Sequence, residues 1–189
     1  MALPTPKARE QVHRRQVTCD GFLRQDGLWD IEGHLRDTKN QEIKMPDRPG
    51  GIIPVGEALH DMSIRISVDL ELRIHEVETT MDATPFNYCP SIAPVYKKLI
   101  GEQIRPGFTK RVRELFGGTA GCTHLVELLG PVATTAMQVT FFARMQAHED
   151  PRNAPAEHLL GSCHAYAPDS VVVEKYFPNY YVPDHSEEA

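Results

Sequence analysis

The chain has 189 residues, 41% of them apolar and 24% charged, an ordinary globular composition long enough for one domain with a sizeable core. Its formal net charge of −6 argues against nucleic acid and anionic membrane as partners, because both call for a basic face. The longest apolar stretch, 125–145, is interrupted by Gly130, Pro131, Thr134, Thr135, Gln138 and Arg144, which argues against a membrane span.

Residues 1–15 are basic and proline-containing, without the apolar core of a signal peptide, and read as a mobile arm. From 16 to 44 the pattern is extended: Val17, Phe22, Leu23, Trp29, Ile31, Leu35 and Ile43 are spread among turn formers, and Asp26-Gly27 is a hairpin signal. Residues 46–56, rich in Pro and Gly, read as a loop. In 62–78, Ile64, Ile66, Val68, Leu70, Leu72 and Ile74 alternate with polar residues, as in a half-buried strand. That is long for one strand, so a turn near Asp69 is expected to make it a hairpin.

After Pro85 the spacing turns helical. Ile92, Val95, Leu99 and Ile100 recur at threes and fours, and a second helix is expected over 106–116, ending at Gly117-Gly118. A third opens at Cys122 or Thr123 and runs to about Ala147, with a kink expected at Gly130-Pro131. Residues 148–158 read as a linker, 170–176 as a last strand, and the remainder as a polar tail. Strands first and helices second predict an α+β domain over 16–147, an antiparallel sheet with helices packed on one face.

The four cysteines, Cys19, Cys89, Cys122 and Cys163, come without an export signal. They read as free thiols or metal ligands in a cytoplasmic protein, rather than as disulfides. In Gly117-Gly118-Thr119-Ala120-Gly121-Cys122-Thr123-His124 a glycine-rich turn delivers a thiol to a helix start, where the dipole favours the thiolate, with an imidazole two residues on. Cys89, followed by Pro90, stands at a second such junction. His60, beside Asp61, precedes the strong strand and is a further candidate ligand. Each has a bland alternative: a buried inert thiol for the cysteines, a capping or core imidazole for the histidine. Asp30, Glu32 and His34 share one face of a strand by their spacing of two. With Asp61 they are expected to supply acid–base groups, the alternative being a solvated face. Ser162-Cys163-His164 is a further ligand pair or, more simply, part of an edge segment.

Two resemblances follow from these strings. Asp26-Gly27-Leu28-Trp29-Asp30-Ile31-Glu32-Gly33-His34-Leu35-Arg36-Asp37-Thr38-Lys39 and Gly121-Cys122-Thr123-His124-Leu125 resemble a bacterial family known as a domain of unknown function, over roughly residues 15–180, and that family carries no activity with it. More remotely, residues 58–137 resemble the iron–sulfur cluster assembly scaffold fold, here with extra N-terminal strands. Its ligand positions would fall on His60, Cys89 and Cys122. The sequence departs from that family in offering His for Cys at the first position and in having His124 follow, not precede, the third Cys.

These residues predict a metal-binding protein with Cys89, Cys122, His124 and His60 as ligands, and Asp30, Glu32, His34 and Asp61 as catalytic groups. Mixed Cys and His ligation suits mononuclear zinc or iron, and an open position would make a small enzyme acting on a small molecule. The alternatives are an iron–sulfur cluster or metal carrier with a delivery partner protein, and a non-metal interaction protein with buried thiols.

Overall fold

The structure, a computed structural model, describes residues 3–147 and 159–183. Strands β1 (His13–Leu23) and β2 (Trp29–Lys39) form the hairpin expected around Asp26-Gly27, paired from His13↔Lys39 to Leu23↔Trp29. β1 therefore begins inside the stretch expected as an arm. The loop at 46–56 carries a small ladder of β3 (Ile43–Lys44) with β4 (Ile52–Ile53). The long alternating run is two strands, β5 (Ala58–Val68) and β6 (Ile74–Ala83). Asp69 N–H donates to the Arg73 carbonyl at 3.2 Å across the turn, and Leu72 takes the left-handed conformation (φ 61°) with its side chain buried. The four long strands make one antiparallel sheet in the order β1-β2-β5-β6.

The first helical stretch is a 3-10 helix, Cys89–Leu99. Pro90 and Pro94 lack the N–H groups an α-helical ladder would use there. Helix α1 (Phe108–Phe116) buries Phe108, Val112 and Phe116 at a spacing of four, and α2 (Thr123–Ala147) follows the glycine-rich turn. By length and composition α2 would suffice to cross a membrane, but its Leu125, Leu128, Leu129, Val132 and Ala136 are buried in the core.

Helices cover one face of the sheet, as expected. The odd-numbered residues of β2, from Ile31 to Asp37, are buried, whereas the even ones are exposed or half-buried. A Cβ added at Gly33 would lie 2.4 Å from Val132 Cγ2, and one at Gly21 would lie 2.3 Å from Val139 Cγ1. Two glycines on adjacent strands thus let α2 lie against the backbone of β1 and β2. Ile31, Leu35, Met62, Ile64, Ile66 and Val77 of the sheet share one core with Tyr96, Phe116 and the α2 leucines.

The chain divides into two compact units within α2, one through Val139 and one from Thr140 onward. In the second, Val171–Tyr176 is a short helix, α3, where a strand was expected. Ser170 caps it by accepting from Val173 N–H at 3.2 Å, so a run of three valines is helical despite its β-branched content. The expected linker, 148–158, and the end of the polar tail lie outside the described residues.

Candidate metal centre

The apolar row of β2 ends in a carboxylate. Asp37 follows Ile31, Gly33 and Leu35 on the helix-facing side, and its side chain is only 2% exposed. Directly across the ladder stands His60 of β5, and the register shifts immediately beyond this pair, where Thr38 faces Ala58. This irregularity falls at the pair that carries the polar groups, a common place for a β-bulge. The first turn of α2 brings His124 over the same point.

The resulting cluster is tight. Asp37, His60 and His124 each present a donor atom, all lying within 4.8 Å of one another. His60 Nδ1 is 3.1 Å and His124 Nε2 3.8 Å from Asp37 Oδ2. The two imidazoles face each other with ring centroids 3.7 Å apart, tilted by 33°. His60 and His124 are 13% and 23% exposed, so the centre is partly open to solvent.

Arg15 of β1 fixes the carboxylate through a two-pronged contact, Nε to Oδ1 at 2.8 Å and Nη2 to Oδ2 at 2.7 Å, while its Nη1 reaches Glu127 of α2 at 2.6 Å. His13 Nε2 stands 3.5 Å from Asp37 Oδ1. Burial works against a charge on Asp37, but hydrogen bonding and attraction from Arg15, with help from His60, hold the carboxyl below its ordinary range. Burial also pushes both imidazoles below their ordinary value, reinforced at His60 by His124 and at His124 by Arg15. The centre therefore pairs an ionised carboxylate with two imidazoles biased to the neutral form, the protonation states a cation requires.

Cys122 joins from the side. Its Sγ lies 3.8 Å from His124 Nδ1, the ring nitrogen turned away from Asp37, although the thiol is outside the group of three. The helix start is held by Tyr96, fully buried and stacked on Phe116 at 4.6 Å, whose hydroxyl bonds both backbone polar groups of Cys122.

The structure thus brings together His60 and His124, with Cys122 adjacent. Cys89 is half-buried at the start of the 3-10 helix and stands outside the cluster. Asp30, Glu32 and His34 lie on the opposite face of the sheet, opposite Ser67, Arg65 and Ser63 of β5. Asp61 shares that outer face, where His34 Nε2 bonds its Oδ1 at 2.6 Å and Arg36 Nε lies 3.5 Å from its Oδ2. Asp30 accepts from the buried Ser67 hydroxyl at 2.6 Å and Glu32 faces Arg65 at 3.4 Å, so these groups are engaged in polar ladders on the sheet face away from His60 and His124. Asp37 and Arg15 were not anticipated. The signal for Asp37 was the apolar row itself, whose parity puts the next polar residue toward the helices.

Residues 13–138 match the family model described as a protein of unknown function (DUF2889), a span that begins at His13 and includes Asp37, His60, Cys122 and His124. Among curated proteins and solved structures nothing matches the chain.

Proposed function

The chain belongs to this family of unknown function, DUF2889, and we propose that its Asp37-His60-His124 centre binds a metal ion, zinc or iron, in a small enzyme acting on a small molecule. The observation that carries the proposal is the convergence of three donors from β2, β5 and α2, far apart in sequence, on one partly enclosed point. Two imidazoles and one carboxylate, with positions left open, are the donor set of mononuclear iron and zinc sites that work on bound water or substrate. Such an ion would polarise a substrate oxygen or lower the pKa of a bound water. Arg15 would keep the carboxylate oriented, since a carboxylate has lone pairs enough for both the guanidinium and an ion. The shortage of thiolates around the three donors favours this reading over an iron–sulfur cluster carrier, which calls for Cys-rich ligation. All four cysteines are free, which suits the reducing cytoplasm.

A second reading rests on the line Cys122 Sγ–His124 Nδ1 at 3.8 Å and His124 Nε2–Asp37 Oδ2 at 3.8 Å. A thiol, an imidazole and a buried carboxylate in that order suit nucleophilic thiol chemistry without a metal.

Metal analysis of protein purified anaerobically without chelator separates the two. The metal reading expects close to one zinc or iron per chain, lost in His60→Ala and Asp37→Asn and retained in Cys89→Ser. A metal-free wild type that takes up neither ion on titration, yet whose Cys122 is alkylated rapidly at neutral pH, would install the thiol reading instead.

A further inference from the structure

At the end of the β1–β2 hairpin lies a cleft of about 310 Å³, lined by His13, Arg14, Gln16, Arg36, Lys39 and neighbouring uncharged residues. The volume is at the small end of ligand pockets. Register explains its composition. Arg14 faces Thr38 and Gln16 faces Arg36 across the ladder, which puts these four on the outer face, while the adjoining pair His13↔Lys39 has the opposite parity. The cleft therefore wraps around the strand ends from one face to the other.

Its chemistry runs against that of the whole chain. Acidic residues outnumber basic ones 26 to 20, yet among the described residues no carboxylate lines the cleft and three permanent cations do. Arg36 has a partner, Asp61, at 3.5 Å. Among the described residues Arg14 and Lys39 have no ion pair. Around them Gln11, Gln16, Thr38 and Asn40 offer neutral hydrogen-bonding side chains. A recess in which two of three cations have no ion pair among the described residues concentrates field on whatever anion enters it, and guanidinium groups match phosphate and carboxylate oxygens in geometry as well as charge.

The cleft also adjoins the centre. His13 lines it, and the same side chain brings Nε2 within 3.5 Å of Asp37 Oδ1. We propose that the cleft binds the phosphate or carboxylate group of a small anionic molecule through Arg14, Lys39 and Arg36. That group anchors the substrate of the Asp37-His60-His124 centre, with His13 between anchor and centre. The anchoring role rests on the metal reading above; anion binding by the cleft does not.

The test is calorimetric titration of inorganic phosphate, and in parallel succinate, into the full chain at low salt, beside a zinc titration of the same preparation. Saturable binding of either anion is expected, identifying the ligand's acid group by which of the two binds. Arg14→Gln/Lys39→Gln, which changes an exposed and a half-buried side chain, should weaken it by about tenfold or more while zinc uptake stays unchanged. His60→Ala should lose zinc and keep anion affinity within about twofold. Wild type saturated by neither anion, or a double variant that binds as wild type does, overturns the anion site and leaves the metal centre standing. Anion binding intact in a protein that never takes up zinc or iron removes the metal reading and the anchoring role with it, leaving the anion site.

Discussion

Tyr96 and Cys122 are joined twice through one hydroxyl: the Tyr96 O–H donates to the Cys122 carbonyl at 3.1 Å and accepts from the Cys122 N–H at 2.9 Å. The carbonyl has a second partner in Val126 N–H at 2.9 Å, but the N–H depends on the tyrosine. Burial pushes the phenol up to about 12, against the contrary pull of the Cys122 backbone bond, so it stays protonated and able to donate. Tyr96→Phe should cost about 1–3 kcal/mol by leaving that N–H unpaired. It should also weaken metal uptake, because the same turn carries His124. Denaturant titration and zinc titration measure the two effects, and unchanged zinc affinity in a destabilised variant would show that Tyr96 serves the fold alone.

The outer face supplies the contrasting experiment. Asp30→Asn, Glu32→Gln and His34→Ala change groups in polar ladders on the side of the sheet away from His60 and His124. Metal content should be unchanged in all three; stability should move by no more than about 0.5–1 kcal/mol for Glu32 and His34, and by more for Asp30, which accepts from the buried Ser67 hydroxyl. Metal loss in any of them would mean that the centre extends through the sheet.

Those ladders mark where sequence reasoning stopped. The hairpins at Asp26-Gly27 and near Asp69, the start of α2 and the one-sided packing were all legible, because each rests on local turn chemistry or on a period of two or about four. His60 and His124 were legible as candidates because each stands at the border of an element. The partner that unites them was not. Asp30, Glu32 and His34 drew attention as a polar row, but a polar row of period two marks the solvent side. Asp37 belongs to the apolar row, and its role emerges only when register puts it opposite His60 and when Arg15 comes alongside from β1. Cys89 was linked to Cys122 on the similarity of two helix starts, and sequence holds no information on whether such starts point at one place. The strand expected at 170–176 failed because the Ser170 cap outweighed the β preference of three valines.

Acid should destabilise the metal-free protein in two separate windows. His60 and His124 have folded values below their ordinary 6.5, so the unfolded chain takes up protons that the folded one refuses. Stability is therefore lost as pH falls through about 6.5. Asp37 is depressed from its ordinary 3.8, so its contribution holds above that value and is lost as pH falls through the lower folded one. Denaturant midpoints measured from pH 8 to pH 3, with His60→Gln for comparison, check the assignment: the variant should show a shallower first decline and, because His60 helps hold the Asp37 carboxyl down, a smaller second one.

Gly33 is where β2 admits α2. Gly33→Ala puts a methyl group 2.4 Å from Val132 Cγ2 and should destabilise by about 1–3 kcal/mol through overpacking. Val132→Ala in the same chain should recover part of that loss, a coupling a double-mutant cycle measures directly. Strict additivity would mean that the helix does not rest on this strand.

The three donors lie at positions 37, 60 and 124, and if the centre takes a metal ion this spacing would set an order of loading during synthesis. A chain emerging from the ribosome can pair β2 with β5 while the residues of α2 are still within the exit tunnel, and at that stage it offers only the half-site of Asp37 and His60. Two ligands hold a divalent ion weakly and exchange it freely. The third arrives with the docking of α2, so on the metal reading capture would wait on the sheet's helical cover, and an ion retained through purification would report a chain that has completed its core.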